Sequence, residues 1–236
     1  MKVGTTQLNK IKEVIKLAFL TTNLRAFFTF IYSIIFNVIP NNNYAYGLAI
    51  ITFTAIIRVL LLPLTIKQTK SQVAMQKVQP MVKELQTKYK NDPQKLQQET
   101  MKLYKEHKAN PLSGCLPLII QLPIIWALFA VFNGLTDIQG VSFLWIKDLS
   151  QPDQWYILPI LSTVTTYLSS LMMTPSADSA QAKQTSTMNT TMAVVFGFMS
   201  IRFKAALVLY WVTQNLFQMG QTFVMKRLEI AKKAQD

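Results

Sequence analysis

One cysteine, Cys115, and one histidine, His107, occur in 236 residues. A lone cysteine excludes an internal disulfide, and together the two exclude a metal site built from cysteine or histidine clusters. Cys115 opens an apolar run and reads as a small packing residue. His107 lies among lysines and reads as a solvated helix position. Acids are scarce, 11 against 24 Lys and Arg, for a net charge of +13. Only 15% of the residues are charged, against roughly 25% in soluble domains. No Asp or Glu falls inside a long apolar run. Carboxylate pairs, nucleophile–base pairs and phosphate-binding glycine loops are all missing, so neither enzymatic catalysis nor a metal or other cofactor finds support. Internal repeats and low-complexity tracts are absent too. Met1 is followed by polar and basic residues to Lys16, without the early apolar core that a cleavable signal needs.

What the chain does have is apolar length. Half of its residues are hydrophobic, and mean hydropathy is +0.24. The runs predict an all-α membrane protein, because only internally bonded helices or closed barrels satisfy backbone groups in lipid. In a soluble protein a charge of +13 would point to nucleic acid. Here the basic residues cluster between apolar runs, as topology signals do, so no specific nucleic-acid partner is expected.

Residues 1–43 read as an external N-terminal region. Leu8, Ile11, Ile15 and Leu17 oppose Lys10, Lys12, Glu13 and Lys16, the pattern of an interfacial amphipathic helix. Residues 26–39 are apolar but short for a crossing, so they read as a continuation of that helix, with a tilted crossing as the alternative. Five crossings are expected at 44–66, 112–134, 154–173, 188–201 and 205–225. Between the first two, residues 67–111 read as a cytoplasmic hairpin of amphipathic helices. Its first arm carries Val78, Val82 and Leu85, with Pro80 expected to kink or interrupt it. Its second arm starts at Asp92-Pro93, an N-cap followed by proline, and shows Leu96, Thr100, Leu103 and His107 on one face. Residues 135–153 form an external loop, 174–187 a cytoplasmic loop, and 226–236 a cytoplasmic tail. The segments 67–110, 174–187 and 226–236 hold fifteen Lys and Arg, against eight in 1–43, 135–153 and 202–204. That asymmetry predicts an external N-terminus and a cytoplasmic C-terminus.

Arg58 interrupts the otherwise uncharged run 44–66. A guanidinium cannot neutralise itself at working pH. Placing it in hydrocarbon costs from about 3 to more than about 10 kcal/mol, depending on the scale. Thr54 and Thr65 share its helix face. The last crossing carries Gln214, Gln218 and Gln221, with Trp211, Asn215 and Gln218 as an adjacent row. The second offers Gln121, and the third Ser162, Thr165, Thr166, Ser169 and Ser170. An arginine facing amides and hydroxyls, with no acid in any crossing, points to a hydrated cavity that receives an acidic group from elsewhere. The plainer alternatives stand beside it: hydroxyls that bond their own backbone, amides that join helices, a snorkelling arginine, and a tryptophan that merely packs. Met172, Met173, Met188, Met192 and Met199 read as flexible apolar surface, or as a contact for varied apolar helices.

Three stretches carry a resemblance: GLAIITFTAIIRVLLLPLTIKQTKSQVAMQKVQP (47–80), YKNDPQKLQQETMKLYKEHKANPLSGCLPLIIQLPI (89–124) and LYWVTQNLFQMGQ (209–221). They resemble the YidC/Oxa/Alb family of membrane protein insertases. The short outer N-terminus is similar to the Gram-positive type. The resemblance implies a five-helix core around a hydrophilic groove, open to the cytoplasm and to lipid and closed outside. It implies that Arg58 draws the acidic or polar outer tail of an incoming protein into that groove. The apolar segment then slides into lipid along the second and fourth crossings. Trp211 occupies a groove or substrate-contact position in the family, and the hairpin recruits substrate. The implied partners are nascent membrane proteins and the lipid bilayer, with the Sec translocon and the ribosome as further candidates. The chain would act as a monomer in the bacterial plasma membrane, without nucleotide hydrolysis.

The chain departs from the family pattern in three places. Phe203-Lys204-Ala205-Ala206 stands where members often read F-P-A-G, placing a charge at the outer turn. Ser169 and Ser170 stand near positions where some members carry glutamine. The tail after 225 has 11 residues, which argues against strong ribosome docking through it.

Such a mechanism needs no fuel for the apolar part, because burying about 20 apolar residues in lipid is favourable by itself. The barrier is carrying the polar tail across a dry core. A potential negative inside pulls acidic tails outward at about 2.3 kcal/mol per charge per 100 mV. Two other readings remain at this stage. One is a small-anion channel or transporter using Arg58 as its site, although paired broken helices in repeated halves are not seen. The other is a structural assembly factor that grips partners through the hairpin.

Overall fold

The computed structural model describes residues 2–107, 109–110, 116–173 and 180–233. Among them the chain is all-helical apart from one isolated bridge, Phe143 to Ile146. Eight helices follow in order: α1 Lys2–Val38, α2 Asn42–Leu60, α3 Leu62–Lys88, α4 Pro93–Glu106, α5 Leu116–Gly134, α6 Ile157–Met173, α7 Ala180–Ser200 and α8 Ala205–Lys233. Among the described residues, two helical segments are long and apolar enough to cross a membrane, Ala18–Val38 and Asn42–Leu60; shorter apolar helices are Gln121–Gly134 and Ile157–Met172. Cys115 and residues 174–179 lie outside the described residues, as do the side chains of Leu8, Ile11, Ile15 and Leu17.

Helix limits differ from the apolar runs in ways that backbone chemistry explains. The run 44–66 is two helices, broken at Leu61. Pro63 lacks the N–H that would bond the Val59 carbonyl, so α2 closes instead with the Leu61 N–H turned back to Ile57 at 2.9 Å. Pro63 then sits in the first turn of α3, where its missing donor does no harm. Residues 2–38 form one unbroken helix, with the residues from 26 onward continuing the segment before them, whereas α7 begins eight residues before the expected fourth run. α3 continues through Pro80, so the first hairpin arm is not interrupted there.

The hairpin of α3 and α4 has its own small core. Val78 and Val82 pack with Met75, Tyr104 and Ala109, flanked by Leu103. Tyr104 fills the seam at 4% exposure. Asp92 caps α4, accepting from the Lys95 N–H at 3.0 Å, and His107 is exposed.

The main core gathers at one end of the bundle. α1 lays Phe28 against Phe53 and Phe132, edge-on, with centroids 5.8 and 5.7 Å apart. Tyr32 stacks on Tyr46 and donates to Asn42. The connection from α5 to α6 folds down onto this end. Ile138, Ile146 and Leu149 are buried, and the Phe143 ring covers Gly47 so closely that a Cβ there would overlap it. Asp153, 4% exposed, accepts from the Leu158 N–H at 2.7 Å, the Trp155 N–H at 3.1 Å and the Trp145 indole at 3.3 Å. It therefore holds the loop closed and caps α6 together. The loop also takes the start of α8: Ala205 and Ala206 donate to the Gln151 and Leu149 carbonyls at 2.8 and 3.0 Å. Both alanines are essentially fully buried. Lys204, the unexpected charge at this turn, donates to the Phe132 carbonyl at 3.4 Å. It thus rests on the carbonyl end of α5, where a cation is favoured.

Candidate functional site: an arginine held by amides

Arg58 lies in the last turn of α2. Measured along their helices from the capped end, Arg58, Gln121 and Gln218 sit about 20 Å down, at 1.5 Å per residue. Arg58 and the two amides therefore lie well away from the sealed end.

Arg58 Nη1 donates to Gln218 Oε1 at 2.5 Å, and Nη2 donates to the Gln214 carbonyl at 3.1 Å. Both acceptors are neutral, so amide dipoles solvate the charge instead of cancelling it. Gln214 and Gln121 form a reciprocal amide pair. Gln121 Nε2 donates to Gln214 Oε1 at 3.2 Å, and Gln214 Nε2 donates back to Gln121 Oε1. Gln121 Nε2 also reaches the Tyr210 hydroxyl at 3.4 Å. Gln218 Nε2 contacts the Thr222 hydroxyl at 3.5 Å. One polar chain therefore links α2, α5 and α8 through Arg58, Gln218, Gln214, Gln121 and Tyr210. An amide can donate and accept at once, which lets it bridge two helices without a net charge.

Trp211 and Asn215 belong to a different cluster. Trp211 Nε1 donates to Thr166 Oγ1 at 2.9 Å, and its ring stacks on Phe196 with centroids 4.7 Å apart. Asn215 Nδ2 donates to Thr166 Oγ1 at 2.8 Å and Thr165 Oγ1 at 3.2 Å. The row read as Trp211, Asn215 and Gln218 is thus split: Gln218 turns toward Arg58, whereas the other two face α6. Thr54 and Thr65 sit on the Arg58 side but bond their own helices. Thr54 donates to the Ile50 carbonyl at 2.6 Å and Thr65 to the Leu61 carbonyl at 3.0 Å. These two hydroxyls follow the plainer reading of membrane threonines.

Tyr210 was not singled out from sequence. It is 2% exposed and lies four residues before Gln214, on the stripe that continues to Gln218. That i, i+4 spacing was the signal that could have found it. Gln221, on the same side of α8, has a buried Oε1 without a hydrogen-bond partner. Among the described residues no group of three or more His, Cys, Asp or Glu could hold a metal ion.

A cationic group held by neutral acceptors, one of them a side chain that can turn away, is chemically suited to receive an anion. A carboxylate adds a full opposite charge to a bond that the amide makes with its dipole alone. The reciprocal Gln121–Gln214 pair is suited to a different task, fastening α5 to α8.

Comparison with known proteins gives the family. The family model described as "60Kd inner membrane protein" matches residues 37–233. A protein from Clostridium tetani named "Membrane protein insertase YidC" is 52% identical over 210 residues, covering 89% of this chain and 94% of that one. A protein of the same name from Clostridium perfringens is 54% identical over 196 residues, covering 81% and 82%. Among solved structures, "Active YidC insertase crystal structure with the first transmembrane domain resolved" superposes with a TM-score of 0.66 at 32% identity. The match covers 86% of this chain and 46% of that longer one. From residue 37 onward the match is continuous and takes in the arginine, the hairpin and the amide-bearing last helix, so the chain belongs to the YidC family of bacterial membrane protein insertases.

Proposed function

We propose that this protein inserts membrane proteins and assists their folding by letting Arg58 act as a temporary counter-ion for the acidic outer tail of an incoming segment. The observation that carries this reading is the bonding of Arg58 to two neutral acceptors, Gln218 Oε1 and the Gln214 carbonyl. A structural anchor in lipid gains most from a carboxylate partner, and the crossings contain no acid. A charge held by amides keeps its capacity for an acid supplied in trans.

The half-sealed shape supports the same reading. The loop end is packed with apolar side chains and closed by Asp153, while Arg58 and its amides lie well away from it. In the proposed arrangement, five crossings surround a groove open to the cytoplasm and to lipid. The N-terminus lies outside and the C-terminus inside. A tail entering the groove then crosses only the sealed half unaided, which shortens the dry path that makes charge transfer expensive. The apolar segment leaves along α5 and α7. On α7, Val194, Phe198 and Met199 are already exposed for contact with lipid or a guest helix. Nucleotide hydrolysis has no place in this scheme. The hairpin of α3 and α4 recruits substrate as the chain emerges, with the ribosome and the Sec translocon as further partners and a single copy as the working unit. The anion-transport alternative draws no support from the relatives.

The test is Arg58→Gln in the full chain, reconstituted in liposomes with a single-span substrate bearing two aspartates in its outer tail. Insertion, read by protease protection, is expected to fall at least several-fold. Crosslinks from positions 58 and 211 are expected to reach the substrate during synthesis. Unchanged insertion by Arg58→Gln would remove the specific role of the charge.

A further inference from the structure

Gln218 supplies the side-chain acceptor of Arg58. Its Oε1 receives Nη1 at 2.5 Å, the tighter of the two bonds to the guanidinium. The second bond goes to a backbone carbonyl, Gln214 O, which belongs to the helix and cannot turn away. Only the side-chain acceptor can be exchanged. A glutamine amide also differs from the other acceptors nearby in carrying two N–H donors on the same carbon as its oxygen. Rotation about the last side-chain bond swaps the two ends.

We propose that Gln218 is a specificity-determining residue that holds Arg58 while the site is empty and then turns to donate to the bound carboxylate. The proposal rests on the reading of Arg58 given above. In the empty state the Gln218 oxygen occupies the place of a substrate oxygen. On arrival, the carboxylate takes over Nη1, and the Gln218 amide rotates so that Nε2 donates to it. The Nη1–Oε1 bond and the 3.5 Å Nε2–Thr222 contact are given up; in their place form an ion-paired bond from Nη1 to the carboxylate and a charge-assisted bond from Nε2 to it. An incoming amide or hydroxyl gains far less from the same exchange, because it brings no charge. Selection for acidic tails therefore comes from the pair, not from the arginine alone.

The test uses two substrates that differ only in the outer tail, two Asp or two Asn, with the purified full chain in liposomes. The readout is the ratio of Asp-tail to Asn-tail insertion. A purely structural fault lowers both and leaves the ratio alone. Gln218→Glu supplies a resident carboxylate to Arg58. It is expected to lower the ratio about tenfold, because the resident carboxylate takes the place of the substrate's at Nη1, to the level of Arg58→Gln. The exchange Arg58→Gln with Gln218→Arg keeps both the hydrogen bond and the charge at nearly the same point. It is expected to retain most of the ratio, and it tests the proposal even where Gln218→Glu folds poorly.

If Arg58→Gln lowers the ratio and Gln218→Glu does not, the role of Gln218 is overturned while that of Arg58 stands. A ratio lost by the exchange variant, at a melting temperature near that of the native chain, overturns it as well. If Arg58→Gln leaves the ratio intact, both readings fall together.

Discussion

Replacing Gln121 with leucine removes one half of the reciprocal amide pair that joins α5 to α8. Gln214 is 7% exposed, so its amide would lose both its donor and its acceptor contact to Gln121 without water to replace them. Leaving a buried amide unsatisfied costs about 1–3 kcal/mol. The leucine itself recovers part of this, because it suits the apolar surroundings better than glutamine does. A net loss of about 2 kcal/mol is therefore expected for Gln121→Leu, and a similar loss for Gln214→Leu. The double variant leaves no orphaned amide apart from the weaker 3.4 Å contact to Tyr210, so it should cost clearly less than the two singles added. The coupling is expected at about 1 kcal/mol, in the range found for hydrogen bonds between membrane helices. The Arg58 bond to residue 214 runs to its backbone carbonyl, so it survives the side-chain change and does not confuse the cycle. The assay is equilibrium unfolding in mixed micelles with the four proteins side by side. Additivity within about 0.4 kcal/mol would refute the pairing.

Two further outcomes follow from the sealed end and from α7. Asp153→Ala removes the acceptor for three donors, two of them backbone N–H groups at the start of α6; a loss of about 2–4 kcal/mol is expected from a lost cap and orphaned donors, with increased proteolysis in the 135–156 loop as the check. Gly197→Val places a side chain where the Thr163 hydroxyl already touches the glycine; α6 and α7 must separate, and a lower melting temperature in detergent is expected, whereas Val194→Leu on the exposed face of the same helix should change stability by no more than about 0.5 kcal/mol.

Much of the helical layout was legible because long apolar runs without acids or strand alternation read as helices. The cap at Asp92-Pro93, the apolar seam of Val78 and Val82, and the exposure of His107 follow from local rules and appear as expected. Pro63 is a contrary case. It lies within the run 44–66 read as one crossing, yet its missing N–H ends α2 at Leu60 and leaves Arg58 in a terminal turn instead of mid-helix. The helix α1 follows the pattern instead: residues 26–39 read as a continuation of the helix before them, and the helix runs unbroken to Val38.

The amides of α8 mark the boundary between the two kinds of information. Periodicity alone determines that Tyr210, Gln214 and Gln218 share one stripe and that Trp211 and Asn215 lie about 100° round the axis. It also determines that Arg58 has no acid to pair with in any crossing, since that is a matter of composition. It does not determine which neighbour each stripe meets, because a helix in isolation has no preferred rotation about its axis. Packing decided that: the loop seated on Ala205 and Ala206 sets the rotation of α8. With that rotation fixed, the Gln218 stripe faces Arg58 and Gln121, and the Asn215 stripe faces Thr166. Thr54 and Thr65 share the arginine's side but spend their hydroxyls on their own carbonyls, since a bond one turn away is always within reach and a partner on another helix depends on the fold.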